Sequence, residues 1–175
     1  MDLKKYIRSI PDYPKKGILF RDITTLIKDN AAFKESIEQM AKMIEEVTFD
    51  KIGAIESRGF IFASALSYKL SKSLVLMRKK DKLPAEKHSV DFELEYGKST
   101  LEMHKDSIKK DEKVIIVDDL IATGGTAEAS AKLVEKSEGK VEGFLFAINL
   151  FDLGGVNLLS KKGYKSYCLM DFPGH

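Results

Sequence analysis

Two adjacent carboxylates precede a pair of glycines in VIIVDDLIATGGT, residues 114–126. The four β-branched apolar residues at its start predict a buried strand that ends at Asp118 and Asp119. The loop that follows, Ala122, Thr123, Gly124, Gly125 and Thr126, suits an anion. Glycines let backbone N–H groups turn inward, the threonine hydroxyls donate, and the next helix adds its positive end. Taken alone, TGGT reads equally well as a helix N-cap at Thr123 with a tight turn. The aspartates shift that balance, because they repel a phosphate unless something stands between. Vicinal sugar hydroxyls can donate to carboxylates, and Mg²⁺ is a hard cation that prefers oxygen. A ligand with a phosphate at one end and a sugar diol in the middle satisfies the whole stretch. Neither a Walker A loop nor a G-x-G-x-x-G fingerprint is present.

Positive charge of matching kind lies elsewhere. Arg58 sits in ESRG, and Arg78, Lys79, Lys80 and Lys82 form a dense basic cluster. A guanidinium fork can grip two phosphate oxygens, although such residues also read as a surface salt bridge and a solvated loop. His88 and His104 have no metal-ligand spacing and read as surface residues, and His175 reads as disordered. Cys168 reads as a small residue in an apolar run.

These residues need a frame. KIGAIE (51–56), SLVLMR (73–78), KVIIVDD (113–119), VEGFLFAINLF and KSYCLM read as strands. Helices are predicted for residues 2–9, for Ala31 to about Val47 with Asn30 as cap, from Gly59, over TAEASAKLVEKS and over 156–162. The polar stretch KKDKLPAEKHSVD reads as an exposed, mobile loop. FELEYGKSTLEM reads as two short strands or one strand with a bulge. Alternating strands and helices predict an α/β fold, with a mainly parallel sheet flanked by helices on both faces. Ligands of such sheets sit beyond the carboxyl ends of the strands, which gathers ESRG, RKK and the glycine loop at one crevice.

The totals agree. The chain has 175 residues, a formal net charge of +2 and one cysteine. This fits one domain, gives no general attraction to nucleic acid and excludes an intrachain disulfide. No apolar run approaches a membrane span. A cytoplasmic protein, without nucleic acid or membrane as partner, is expected.

The strand, two acids and T-G-G-T resemble the phosphoribosyl pyrophosphate motif of the type I phosphoribosyltransferase family. YPKKGILFRDI (13–23), ESRGF (56–60), RKKDKLP (78–84) and LEYGKSTLEM (94–103), in this order, are similar to the members of that family that use adenine. The resemblance implies a single domain over 1–175, with about residues 1–30 forming a small N-terminal hood and loop 79–92 closing over the site. It implies transfer of a phosphoribosyl group to adenine, giving AMP and pyrophosphate. Ala122, Thr123, Gly124, Gly125 and Thr126 would hold the 5′-phosphate, and Asp118 and Asp119 the ribose hydroxyls. Arg58, Arg78, Lys79 and Lys82 match pyrophosphate contacts; Lys80 does not. Glu95 would be the acid-base residue. Leu19 and Phe20 would lie against adenine, and Arg21 would read it through its main chain. Mg²⁺ would be held mainly by substrate, with Asp118 reached through water. A homodimer is implied, with Arg78 turned toward the partner's site. AINLFDLGGVNLL departs from the family pattern, so the resemblance assigns that segment no role. Other readings are a transferase for xanthine, hypoxanthine/guanine or orotate, and a non-enzymatic sensor of phosphoribosyl pyrophosphate. A sensor would need a DNA-binding module for which the chain has no room.

Overall fold

A computed structural model describes every residue except Glu95 and Tyr96. After a 3₁₀ turn at Leu3–Tyr6, β1 (Arg8–Pro11) pairs antiparallel with β2 (Leu19–Asp22) as a separate two-stranded sheet. The helix expected over residues 2–9 therefore stops after one turn. Leu3 and Ile7 are buried, but Arg8 to Pro11 find a non-local strand partner that no helix offers.

The short α1 (Thr24–Ile27) and α2 (Asn30–Met43) follow. The cap of α2 is Asp29, not Asn30: its carboxylate accepts the Ala32 N–H at 2.9 Å. Both residue types cap well, and the chain uses the earlier one. The helix also ends before Val47.

Then come β3 (Lys51–Ile55), α3 (Gly59–Leu70), β4 (Ser73–Lys79), β5 (Lys87–Glu93), β6 (Lys98–His104), β7 (Lys113–Ile121), α4 (Gly125–Lys136), β8 (Lys140–Leu150), α5 (Gly155–Lys161) and β9 (Ser166–Phe172). These strands form one sheet in the order β5-β6-β4-β3-β7-β8-β9. Five of them, β4-β3-β7-β8-β9, are mutually parallel, and β6 and β5 add an antiparallel edge. The loop expected over 79–92 is thus a strand over its second half, zipped to β6 from Lys87↔His104 to Glu93↔Lys98.

β7 explains why helices cover both faces. Ile115 and Val117 enter one core with Met40 of α2 and with Phe62 and Leu66 of α3. Val114 and Ile116 enter the other with Leu133 and Val134 of α4. Successive side chains of a strand point to opposite faces, so an unbroken apolar run marks a strand buried on both. All four are fully buried, each worth roughly 1.5–3 kcal/mol relative to exposure.

Candidate active site

β3 leads through α3 to β4 on one side, whereas its other neighbour β7 leads through α4 to β8 on the opposite side. Strand order reverses between β3 and β7, and a crevice opens at such a point beyond the strand ends. Glu56, Ser57 and Arg58 come from the end of β3, joined through a cis Glu56–Ser57 peptide. With Lys79, Asp118 and Asp119 they line a cavity of about 320 Å³. Gly59 is what lets α3 start so close: a Cβ there would lie 2.8 Å from Asp118 Oδ1 and 3.1 Å from the Val117 carbonyl.

Both arginines at the crevice are held by acids. Arg58 Nε lies 2.9 Å from Asp119 Oδ2. Its N–H is not aimed along that line, so among the described residues this buried carboxylate oxygen has an ion pair and no hydrogen bond. The Arg58 guanidinium also rests on the Phe20 ring of β2, 5.0 Å from its centroid. Arg78 Nη2 donates to Glu56 Oε1 at 3.1 Å, and the Lys79 backbone N–H donates to Glu56 Oε2 at 2.7 Å. Burial opposes ionisation of Glu56, but the Lys79 N–H and Arg78 outweigh it, with Lys82 adding charge, and the pKa is lowered. Asp118 goes the other way. Burial first, and the neighbouring Asp119 second, push its carboxyl well above the usual range. Removing a carboxylate from water and setting a like charge beside it both disfavour ionisation.

The glycine loop lines an adjoining cavity of about 190 Å³ that shares Leu94, Asp118, Leu120 and Thr126 with the first. The N-cap of α4 is Gly124, at φ +93°, and no side chain caps the helix. The alternative reading of TGGT, an N-cap at Thr123, is therefore not realised, and the first N–H groups of this 12-residue helix have no capping side chain among the described residues. Gly124 also packs tightly, since a Cβ would lie 3.0 Å from Leu158 Cδ2.

A third cavity, of about 530 Å³, joins Leu19 of β2 to Leu94, Ala122 and Thr123. Of the residues expected against adenine, Leu19 lines this space and Phe20 lies under Arg58. Arg21 and Asp22 are both buried. The Arg21 side chain runs to Ser9 and to the Pro173 carbonyl. Lys82 is exposed, and Glu95 lies outside the described residues. His175, expected to be disordered, lines the third cavity.

Two residues of this neighbourhood went unassigned. Glu56 ties Arg78 to the end of β3. Glu102, only 3% exposed, accepts the Asp81 N–H at 2.7 Å and the Ser89 hydroxyl at 2.6 Å. It pins both arms of the segment between β4 and β5.

A mostly parallel sheet whose switch point gathers two acids, an uncapped helix start and paired arginines defines a phosphoribosyltransferase domain, and the phosphoribosyl transferase domain family matches residues 24–148. The chain is 70% identical over 175 residues, all of both chains, to the adenine phosphoribosyltransferase of Pelagibacter ubique. It superposes on the crystal structure of the Thermoanaerobacter pseudethanolicus adenine phosphoribosyltransferase with a TM-score of 0.94, at 50% identity and 98% coverage of each chain. The Saccharomyces cerevisiae enzyme, solved with an imino-altritol bisphosphate and adenine, matches with a TM-score of 0.89 at 35% identity and 97% coverage of each chain. The chain belongs to the adenine phosphoribosyltransferase family.

Proposed function

We propose that the protein transfers the 5-phosphoribosyl group of phosphoribosyl pyrophosphate to adenine, giving AMP and pyrophosphate in purine salvage. One juxtaposition carries this reading. The uncapped start of α4 at Thr126 shares a cavity with Asp118 and Asp119, in a chain that matches an adenine phosphoribosyltransferase end to end. The N–H groups and hydroxyls of Ala122 to Thr126 receive the 5′-phosphate. The aspartates accept from the 2′- and 3′-hydroxyls, whose protons take the place of the Arg58 contact. Arg58, Arg78, Lys79 and Lys82 then face the pyrophosphate.

Adenine N9 attacks the anomeric carbon with its lone pair while the bond to pyrophosphate breaks. Charge develops as an oxocarbenium-like ribose and a leaving pyrophosphate, so positioning and fixed charges supply the catalysis. Glu95 takes the N7 proton as N9 bonds. Arg21 reads N6 and N1 through its backbone. In support, β2 has one edge without a strand partner among the described residues. The segment over residues 79–92, tied to β6 at Lys79 and from Lys87 onward, would limit access of water to the activated ribose.

The metal expected with phosphoribosyl pyrophosphate fits the donors present. Asp118 and Asp119 offer hard oxygens, and their mutual repulsion favours a nearby positive charge. Bound there, Mg²⁺ would neutralise the leaving pyrophosphate.

A homodimer is also part of this proposal. Leu76, Ile61 and Tyr68, the last 92% exposed, leave apolar surface uncovered on β4 and α3. β4 pairs with β6 only at Arg78 and Lys79, so its edge over Ser73–Met77 meets no strand among the described residues. Arg78 Nε is buried without an acceptor among the described residues. Sedimentation of a fully active monomer would refute the dimer.

The test of function is AMP formation by the purified protein from adenine and phosphoribosyl pyrophosphate, beside hypoxanthine, guanine, xanthine and orotate. Preferential turnover of adenine supports the reading. Preference for another base overturns the substrate, and turnover of none overturns the enzyme.

A further inference from the structure

We propose that the Arg21 side chain is a positioning residue for base binding: it clamps the segment from Phe172 to His175 in place as the outer wall of the cavity beside Leu19. The proposal rests on the adenine reading above. It concerns a side chain to which that reading gives no task.

The Arg21 residue is 7% exposed and has three separate contacts. Nη1 donates to Ser9 Oγ at 2.5 Å, Nη2 donates to the Pro173 carbonyl at 2.7 Å, and the guanidinium lies 4.8 Å from the Phe172 ring centroid. A cation is buried at a cost that only such contacts offset. Here they join β1, β2 and a segment 152 positions away along the chain. A planar fork can donate in two directions while stacking on a ring, and an ammonium cannot do both.

The same segment is held from its other side by Asp152. Its Oδ1 accepts the Gly174 N–H at 2.6 Å, and a Cβ on Gly174 would lie 2.6 Å from Leu153 Cγ. Gly174 and His175 then line the cavity of about 530 Å³ together with Leu19, Ala122 and Thr123. A planar base entering next to Leu19 meets this wall, whereas phosphoribosyl pyrophosphate is gripped from β3, β4 and β7. Loosening the wall weakens the hold on the base and leaves the hold on the sugar phosphate.

The experiment compares wild type with Arg21→Lys and Asp152→Ala, measuring both KM values, kcat and thermal melting. Arg21→Lys keeps the charge and loses the fork. Asp152→Ala keeps the Arg21 fork and frees Gly174. Because Asp152 also acts on Arg21 through its charge, Asp152→Asn, which keeps an acceptor for Gly174 and removes the charge, is measured beside it. Only a phenotype shared by Arg21→Lys and Asp152→Ala but not by Asp152→Asn passes through the segment. The adenine KM is expected to rise about fivefold or more in those first two, with the phosphoribosyl pyrophosphate KM within about twofold of wild type. An unchanged adenine KM in Asp152→Ala overturns the clamp even if Arg21→Lys fails to fold. Equal rises in both KM values, or full rescue by lysine, overturn it too. A wild type that makes no AMP from adenine sinks the underlying reading, and the clamp with it. A wild type that does so while its variants keep their adenine KM sinks the clamp alone.

Discussion

Arg58 and Asp119 neutralise each other across the crevice, with Nε 2.9 Å from Oδ2 and the guanidinium laid on Phe20. The cation proposed for pyrophosphate and the acid proposed for ribose are therefore partners until substrate arrives. Binding exchanges one ion pair for contacts to both ends of the ligand. Because the existing pair lacks hydrogen-bond alignment, little directional bonding is lost in the exchange.

Asp118→Asn and Asp119→Asn are predicted to impair catalysis more than folding. Each removes one of two neighbouring negative charges that burial already disfavours at Asp118. kcat/KM should fall about a hundredfold, while melting stays level or rises for Asp118→Asn. Wild-type turnover in both variants would end the ribose assignment.

Glu95→Gln should lower kcat strongly and leave AMP binding largely intact, because it removes proton transfer and keeps the shape. Glu93→Gln, at the exposed end of β5, should do little. Kinetics of the two variants side by side decide the matter, and small equal effects count against Glu95.

Acid should loosen the β1–β2 sheet at Asp22. The Thr24 hydrogen bonds, and Arg8 through a 2.9 Å contact from Nε, hold its carboxyl at about 2 against an ordinary 3.8. A depressed folded pKa means stability present above the ordinary value and lost as pH falls through the folded one. Asp22→Asn should cost on the order of 2 kcal/mol at neutral pH. That difference should shrink between about pH 4 and pH 2, as urea melts of both proteins would reveal. A constant gap across that range contradicts the linkage.

Glu102→Ala should loosen the segment between β4 and β5. Burial opposes ionisation here, but Ser89 and the Asp81 N–H, with Lys87 and Lys80 nearby, keep the carboxyl below its usual pKa. Losing the acceptor leaves donors unpaired, at about 1–3 kcal/mol. Limited proteolysis between Lys79 and Phe92 should quicken, and the phosphoribosyl pyrophosphate KM should rise more than the adenine KM. Unchanged cleavage would mean that the rungs to β6 hold the segment without Glu102.

The parallel strands and the glycine loop were legible because β-branched runs and glycine pairs are local signals. β5 was not. It is an edge strand whose buried Val90 and half-buried Phe92 alternate with polar residues in a charged stretch, so its pattern is thin. The start of β1 was hidden because Leu3, Tyr6 and Ile7 satisfy a helical spacing that one 3₁₀ turn already exhausts. The pairing of Arg78 with Glu56 spans 22 positions, and charge alone does not say which acid meets which base. Glu56 and Glu102 both lay inside recognisable motifs, yet their work depends on partners folded in from elsewhere.

β7 sends Ile115 and Val117 to one core and Val114 and Ile116 to the other before it delivers Asp118 and Asp119. A slip of one residue along this strand would turn every side chain over. It would thrust each core's residues into the other and aim the acids away from the crevice. Frame-keeping for the chemistry is thereby delegated to hydrophobic sorting. The strand behaves as a keyed shaft: insertions in its interior should be lethal to folding before they can misalign catalysis, and the chain has no cheap way to be folded and out of register at once.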